Sequence, residues 1–151
     1  MKKFLNILGI TLLSLVILVV GAGAWFINRI TNGAQIYEQE APALPELPGF
    51  SVLVFSKTNA FRHGEAIEAS LPFFRQMSDT EGWSMFITDN VAVHNQEQLA
   101  EFDVVIWNNV SGQVLLEEQR QALKEYIEGG GGWLGIHAAG DFSHKWDWYY
   151  E

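Results

Sequence analysis

Hydrophobic and polar residues alternate in short blocks after residue 49, and the blocks are of two kinds. The first kind is apolar and rich in β-branched and aromatic residues, which predicts strands. These blocks are residues 50–56, 83–88, 103–107 and 133–136. The second kind has apolar residues at helical spacing, which predicts helices. These blocks are residues 64–77, 95–101 and 115–128. Strands and helices that alternate with short links predict an α/β fold, with a doubly wound parallel sheet covered on both faces.

Glycine and proline set limits to the predicted helices. Gly82 and the four glycines at 129–132 each follow a helical block, and glycine commonly ends a helix. Pro72 lies inside the first helical block. Because proline removes a backbone donor and clashes with the preceding turn, we expect it to bend or shorten that helix.

The N-terminal residues predict a membrane segment. Residues 4–28 carry no charge, and about 20 apolar residues are enough to cross the hydrocarbon core of a bilayer. Two lysines before this run and one arginine after it favour a cytoplasmic N-terminus at residues 1–3 and an exported domain. The small residues at 22–24 also resemble a signal-peptide cleavage site, which would give a secreted protein. The length of the run favours the uncleaved anchor in the cytoplasmic membrane.

Residues 29–48 hold three of the four prolines and few large apolar side chains. Because proline disfavours helix and stiffens extended chain, this stretch predicts a Pro-rich linker. The folded domain is then residues 49–151. It ends in an aromatic-rich segment with no helix after the fourth strand, so we expect the sequence to be the N-terminal part of a longer domain.

Composition excludes several classes of site. The chain has no cysteine, which rules out disulfides, thiolate nucleophiles and cysteine-ligated zinc. The net charge of −9 argues against a nucleic-acid partner, because phosphates require a basic face.

The glycine run does not predict a dinucleotide site. The glycines at 129–132 precede a strand, whereas the glycines of a dinucleotide-binding fingerprint follow one.

Polar loops follow the first, third and fourth predicted strands. The carboxyl ends of parallel strands meet at one edge of a sheet, where ligands bind in such folds, so we expect the loops to converge. Their hydroxyls, amides and cations suit a polyol or sugar. The candidate substrate-binding residues are Lys57, Thr58, Asn59, Arg62, Asn108, Asn109 and Ser111.

His137 is the strongest catalytic candidate. It follows the fourth strand in the sequence G-I-H-A-A, whose small residues suit a nucleophile elbow, the strained turn that exposes a reactive side chain. No serine or cysteine occupies this position, so an acyl-transfer triad is not expected. Histidine there can act as a general base, a metal ligand or a hydrogen-bond donor. A structural histidine bonded to nearby backbone is the alternative.

His63 and Asp141 complete the candidate catalytic set. His63 stands at the start of the first helical block, where a capping or packing role is the alternative. Asp141 would orient His137 or ligate a metal, and an ordinary turn or helix N-cap is the alternative. The candidate cofactor is a divalent metal held by these three residues. His94 and His144 stand alone in the sequence and are expected at the surface.

Together these blocks resemble the trehalose-utilisation (ThuA-like) domain family. The matching stretches, in family order, are V-L-V-F-S-K-T-N-A-F-R-H at 52–63, D-V-V-I-W-N-N-V-S-G at 103–112, Y-I-E-G-G-G-G-W-L-G-I-H-A-A-G-D at 126–141 and W-D-W-Y at 146–149. This family is similar in fold to class I glutamine amidotransferases, which implies a flavodoxin-like sheet. Its members lack the amidotransferase cysteine, and His137 stands in that position here. The resemblance therefore implies that the protein is not a glutamine amidotransferase.

The resemblance also implies a role in carbohydrate metabolism, with trehalose or a related glycoside as substrate. We therefore expect an exported, periplasmic protein whose partners are a small sugar and, through the N-terminal helix, the membrane. A carbohydrate-active hydrolase or lyase is the first hypothesis. A non-catalytic sugar-binding or interaction module with an amidotransferase-like fold is the alternative.

Overall fold

The computed structural model describes residues 2–32, 36–140 and 146–149. Each predicted strand and helix is found. The elements are α1 (Lys2–Asn32), β1 (Ser51–Phe55), α2 (Gly64–Glu81), β2 (Ser84–Thr88), α3 (Gln96–Leu99), β3 (Val104–Asn108), α4 (Glu117–Glu128) and β4 (Gly132–Ile136). Two 3-10 turns accompany them, Val91–Val93 before α3 and Asp147–Tyr149 near the C-terminus.

The four strands form one parallel sheet in the order β2-β1-β3-β4. This confirms the α/β, doubly wound, flavodoxin-like prediction, because the order 2-1-3-4 is that of flavodoxin-like sheets. The strand that follows β1 in the chain, β2, lies at one lateral end of the sheet, and the strand that follows β3, β4, lies at the other. The strand order thus reverses between β1 and β3, and ligands in such folds bind outside the carboxyl ends of the strands at that position.

Different helices cover the two faces of the sheet. On one face, Val54 and Ile106 pack with Phe74 of α2. On the other face, Trp107 packs in a larger cluster with Leu123 of α4. All five residues of β1 are buried, as expected for a central strand that is apolar on both sides.

Helix α2 runs through Pro72 and continues to Glu81, so proline does not shorten it. Pro72 is exposed, whereas Phe74 on the same helix is buried against the sheet. Burial of the apolar face therefore outweighs the one lost backbone hydrogen bond. The helix ends as predicted at Gly82, whose left-handed backbone (φ 71°) lets its N–H donate to the Ser78 carbonyl.

The proline-rich residues 36–48, here called the strap, contain no helix or strand and lie on the domain. Three strap side chains, Tyr37, Leu44 and Leu47, pack against the cluster on the α4 face of the sheet. Domain side chains also donate to strap carbonyls, from Asn90 to Glu40 at 3.0 Å and from Gln98 to Pro42 at 2.6 Å. The strap is thus part of the folded unit.

Helix α1 contains a 24-residue span, Asn6–Arg29, with a mean hydropathy of 2.6 and no burial against the domain. At 1.5 Å per residue this span is about 36 Å long, more than the hydrocarbon core of a bilayer. One helix is therefore long and apolar enough to cross a membrane, a property that a signal sequence shares.

Candidate functional site

The loop after β1 and the loop after β3 are joined through Ser111. The Ser111 carbonyl accepts the N–H of Asn59 at 2.9 Å, and the Ser111 hydroxyl donates to the Phe61 carbonyl at 2.6 Å. Gly112 follows in the left-handed region (φ 73°), and a Cβ there would lie 2.8 Å from the backbone nitrogen of Ala60. Only glycine fits this close approach, which fixes the two loops against each other.

The loops after β3 and β4 are joined in turn. The Asn109 N–H donates to the Ile136 carbonyl at 3.2 Å. Asn109 (φ 57°) and His137 (φ 53°) both adopt left-handed backbone conformations, which are uncommon for residues other than glycine. Strained conformations of this kind cluster at functional sites. The turn at His137 is therefore strained, as the elbow pattern predicts.

The two candidate histidines meet at this edge of the sheet. The rings of His63 and His137 lie edge to face, with their centroids 4.4 Å apart and their planes at 88°. The ring of Phe61, on the same loop as His63, packs against the His63 ring with the two centroids 4.8 Å apart. His137 is exposed and His63 is half-buried, so a ligand can reach both imidazoles. Asp141 lies outside the described residues.

Five of the seven predicted substrate-binding residues are buried, and the side chains of four of them bond to residues outside their own loop. Lys57 forms an ion pair with Glu38 of the strap. The amide of Asn59 donates to the Gln113 carbonyl at 2.7 Å. The remaining two are Asn108, whose amide donates to the Ser70 hydroxyl at 2.8 Å, and Ser111, described above. In the described structure these side chains brace the loops, and their part in substrate binding stays a prediction.

The other three predicted substrate-binding residues differ among themselves. Arg62 is exposed and Thr58 is half-buried, where its backbone pairs with that of Ser111. Asn109 is 2% exposed, and its Nδ2 donates to the Asn108 Oδ1 at 3.0 Å. Its own Oδ1 is buried and has no hydrogen-bond partner among the described residues. A buried acceptor without a donor is unusual, and here it belongs to the residue bonded to the His137 turn.

Two cavities adjoin the paired histidines. One of about 430 Å³ borders His137, and its walls are Ile127, Trp133, Gly135, Gly140, Trp148 and Tyr149. The other, of about 390 Å³, borders His63 and is formed by residues 61–66. Trp148 and Tyr149 are not among the site residues that the sequence predicts. The signal that would have found them is the aromatic sequence W-D-W-Y, which the tertiary structure brings beside the elbow.

Trp133, Trp148 and Tyr149 form an aromatic wall beside His137, and packing holds this wall in place. A Cβ at Gly135 would lie 2.4 Å from the Trp133 ring, so the indole covers the glycine directly. Tyr149 packs edge to face on Trp133, with centroids 5.6 Å apart, and its hydroxyl donates to the Ala139 carbonyl at 3.1 Å. The Trp148 indole N–H donates to Glu128 of α4 at 3.1 Å. The wall is therefore held in place by contacts with β4, with the elbow and with α4.

Comparison with known proteins identifies the family. Residues 51–151 match the family model described as ThuA, trehalose utilisation. The chain belongs to the ThuA family. It is also similar to a ThuA-like protein from Bacteroides uniformis ATCC 8492, whose crystal structure superimposes with a TM-score of 0.55 at 29% sequence identity. That match covers 73% of this chain and 45% of the other, so the chain spans less than half of that relative. Among curated proteins there is no match.

The metal prediction for this ThuA domain rests on two described residues. His63 and His137 provide adjacent imidazoles. Within residues 2–32, 36–140 and 146–149, no group of three or more His, Asp or Glu side chains comes together. Catalytic zinc sites commonly use three protein ligands, so a metal here would need a further ligand, for which Asp141 stays the candidate.

One prediction about the ThuA domain, the surface location of His94, is wrong. His94 is fully buried, whereas the sequence predicts a place at the surface. The Trp107 indole N–H donates to its Nε2 at 3.0 Å, so the ring proton is on Nδ1, which lies 3.3 Å from the Val91 carbonyl. Burial lowers the pKa of His94 to about 3, against the smaller opposite effect of the Val91 carbonyl. His94 is thus a neutral core residue.

Proposed function

We propose that this protein is a membrane-anchored ThuA-family enzyme that carries out acid–base chemistry on a small sugar. One observation carries the proposal: the rings of His63 and His137 are in contact at the carboxyl edge of the sheet. Imidazole changes its protonation near neutral pH and is the commonest general acid or base in enzymes. One imidazole of such a pair can give a proton to the leaving glycosidic oxygen while the other takes a proton, from water in a hydrolase or from a ring carbon in a lyase.

The cavity beside His137 supports a sugar as the ligand. Its volume, about 430 Å³, lies in the range of small-molecule sites. Trp133, Trp148 and Tyr149 form an aromatic wall, and aromatic faces suit the apolar C–H face of a pyranose ring. The family description, trehalose utilisation, agrees with a sugar ligand of this size.

The location follows from the N-terminal residues. The span Asn6–Arg29 is exposed and apolar, and two lysines precede it. The positive-inside rule then assigns the N-terminus to the cytoplasm and the ThuA domain to the periplasmic or extracytoplasmic side. We take the helix as a single-pass anchor in the cytoplasmic membrane.

The test is a turnover assay with the full chain in detergent or nanodiscs. Trehalose and 3-keto-glycosides are supplied with added Mn²⁺ or Zn²⁺, or with EDTA, and the products are separated by chromatography. We expect turnover of a glycoside, reduced by roughly 10²-fold or more in His137→Ala. The control is Arg75→Ala, which alters an exposed charged residue on α2 and should keep the wild-type rate.

Four results would contradict or refine the proposal. The enzyme is excluded if no substrate turns over under any condition, and the catalytic role of His137 is excluded if His137→Ala keeps full activity. Sugar binding without turnover, measured by calorimetry, would favour the non-catalytic binding module. Loss of turnover in EDTA, restored by one metal, would establish the divalent cofactor.

A further inference from the structure

The strap begins on the loop that follows β1. The Ile36 carbonyl lies 3.5 Å from the amide nitrogen of Asn59, and Glu38 pairs with Lys57. Both domain residues belong to the loop after β1, the same loop that carries His63. The start of the strap is therefore fixed to the carboxyl edge of the sheet.

The other end of the strap lies at the opposite edge. The Pro48 carbonyl accepts the hydroxyl of Ser84 at 2.6 Å, and Ser84 is the first residue of β2. The strap thus crosses the domain from the carboxyl edge of the sheet to the amino edge. A five-residue parallel strand separates these two edges by about 17 Å.

The distance between α1 and the carboxyl edge is limited by the length of the chain. Helix α1 ends at Asn32, four residues before Ile36. Because a fully extended chain spans at most ~3.6 Å per residue, these two residues are no more than about 14 Å apart whatever path the chain takes. If α1 crosses a membrane, its outer end therefore keeps Ile36, and with it the carboxyl edge to which Ile36 is bonded, close to the bilayer, whereas the amino edge can lie further away.

We infer that the strap holds the candidate site against the outer surface of the membrane, with Phe61 and Arg62 in contact with lipid head groups. This inference rests on the anchor in the proposed function. Phe61 is 65% exposed and Arg62 is exposed beside it, both on the loop fixed to the strap. Aromatic rings are favoured at the membrane interface, and arginine binds anionic head groups.

Contact with lipid at this loop bears directly on the site. The Phe61 ring packs on His63, whose ring packs on His137. The hydroxyl of Ser111 holds the Phe61 carbonyl at 2.6 Å, so the loop is fixed on its protein side while the ring projects outwards. The site therefore opens at the bilayer surface, where it can meet sugars carried by membrane lipids.

The chain allows a matched test because it has no native cysteine. Single variants Phe61→Cys and Phe50→Cys carry a fluorescent donor at the carboxyl and the amino edge respectively. Phe50 is a suitable control, since it is also an exposed phenylalanine, at 45%. The full chain is reconstituted in vesicles of phosphatidylcholine and phosphatidylglycerol with an acceptor on the head groups. We expect energy transfer to the membrane to be several-fold more efficient from position 61 than from position 50.

Equal transfer from the two positions, or stronger transfer from position 50, would overturn the inference while leaving the anchor intact. Vesicle flotation in the same samples tests the anchor itself. A chain that does not float with the vesicles contradicts the anchored form of the proposed function, and this inference with it.

A third variant tests the role of the short connection between α1 and the strap. An insertion of about eight Gly-Ser residues between residues 33 and 35 lengthens the connection without altering the domain. We expect the difference between positions 61 and 50 to shrink. A difference that persists unchanged would overturn the role of the short connection.

Discussion

The ring of His63 meets the ring of His137 edge to face, with centroids 4.4 Å apart. The two residues follow β1 and β4, which are not neighbours in the sheet, because β3 lies between them. The pair is therefore assembled over the end of β3, where Asn109 joins the β4 turn by the bond to the Ile136 carbonyl. Three strand ends contribute to one small site.

We expect the two histidines to act as a unit. His63→Ala and His137→Ala should each lower kcat/KM on the sugar substrate by about 10²- to 10⁴-fold. Because each ring is useful only with the other, the double variant should lose little more than the more damaging single variant. Steady-state kinetics of the three variants measure this, with circular dichroism as the check on folding. Losses that multiply in the double variant would show that the rings work independently.

Trp148 should govern sugar affinity more than turnover. Its half-buried indole lines the cavity beside His137, so Trp148→Ala should raise KM by roughly 10-fold, with a smaller change in kcat. Trp148→Phe keeps an aromatic face and loses only the bond to Glu128, so it should retain most of the affinity. The control is Phe73→Ala, an exposed aromatic on α2. Equal KM values for Trp148→Ala and the control would remove the cavity from the substrate site.

Gly112 should be essential for the junction of the loops. Gly112→Ala places a Cβ 2.8 Å from the Ala60 nitrogen and requires alanine to adopt φ 73°. We expect the free energy of unfolding to fall by about 2 kcal/mol or more. Gly64→Ala is the matched control, because no atom lies within 4 Å of its added Cβ and its φ is ordinary, so it should be neutral or slightly stabilising. Urea unfolding of both variants in detergent makes the comparison, and equal stabilities would contradict the close approach.

The strap should loosen when its ion pair is broken. Burial by itself raises the pKa of Glu38, but the hydrogen bonds from Lys57 and the Val91 N–H outweigh it and hold the pKa below its usual value. Lys57→Met removes the cation and leaves the partly buried carboxylate with the Val91 N–H alone, at a cost of about 1–3 kcal/mol in the free energy of unfolding. Hydrogen exchange at residues 36–48 should become faster.

An exposed ion pair provides the control for this experiment. The Nζ atom of Lys124 lies 3.9 Å from Oε1 of Glu128 on the surface of α4. Lys124→Met should change stability by less than about 1 kcal/mol and leave exchange in the strap unaltered. If Lys57→Met behaves in the same way, the ion pair does not hold the strap.

His94 should make the fold sensitive to mild acid. Its pKa is lowered to about 3 in the folded chain, whereas an unfolded histidine titrates near 6.5. Below pH 6.5 the unfolded state therefore binds a proton that the folded state does not bind. The free energy of unfolding decreases as the pH is lowered, until the pH reaches the pKa of the folded state. Between pH 7 and pH 5 the loss from this residue is about 2 kcal/mol. Urea unfolding at the two pH values should show it, and His94→Gln should lack most of this pH dependence. A wild-type chain as stable at pH 5 as at pH 7 would contradict the neutral buried ring.

The sequence by itself determined the order of elements and the family. Strands such as residues 103–107 and helices such as 115–128 are visible because burial imposes a period on neighbouring residues. Parallel order also predicts that loops after the strands converge, and His63 and His137 do so. The left-handed backbone at His137 agrees with the small residues around it, which a strained turn requires.

Only the tertiary structure decided which polar and apolar side chains face inwards. The apolar residues of the strap are too sparse to form a period, and Tyr37, Leu44 and Leu47 are partly buried because they pack against the cluster on the α4 face. Lys57 and His94 look like surface residues in the sequence, yet one pairs with Glu38 and the other bonds to Trp107. The reason is that burial of a polar group depends on whether a partner distant in the chain satisfies it, and local patterning carries no record of that partner.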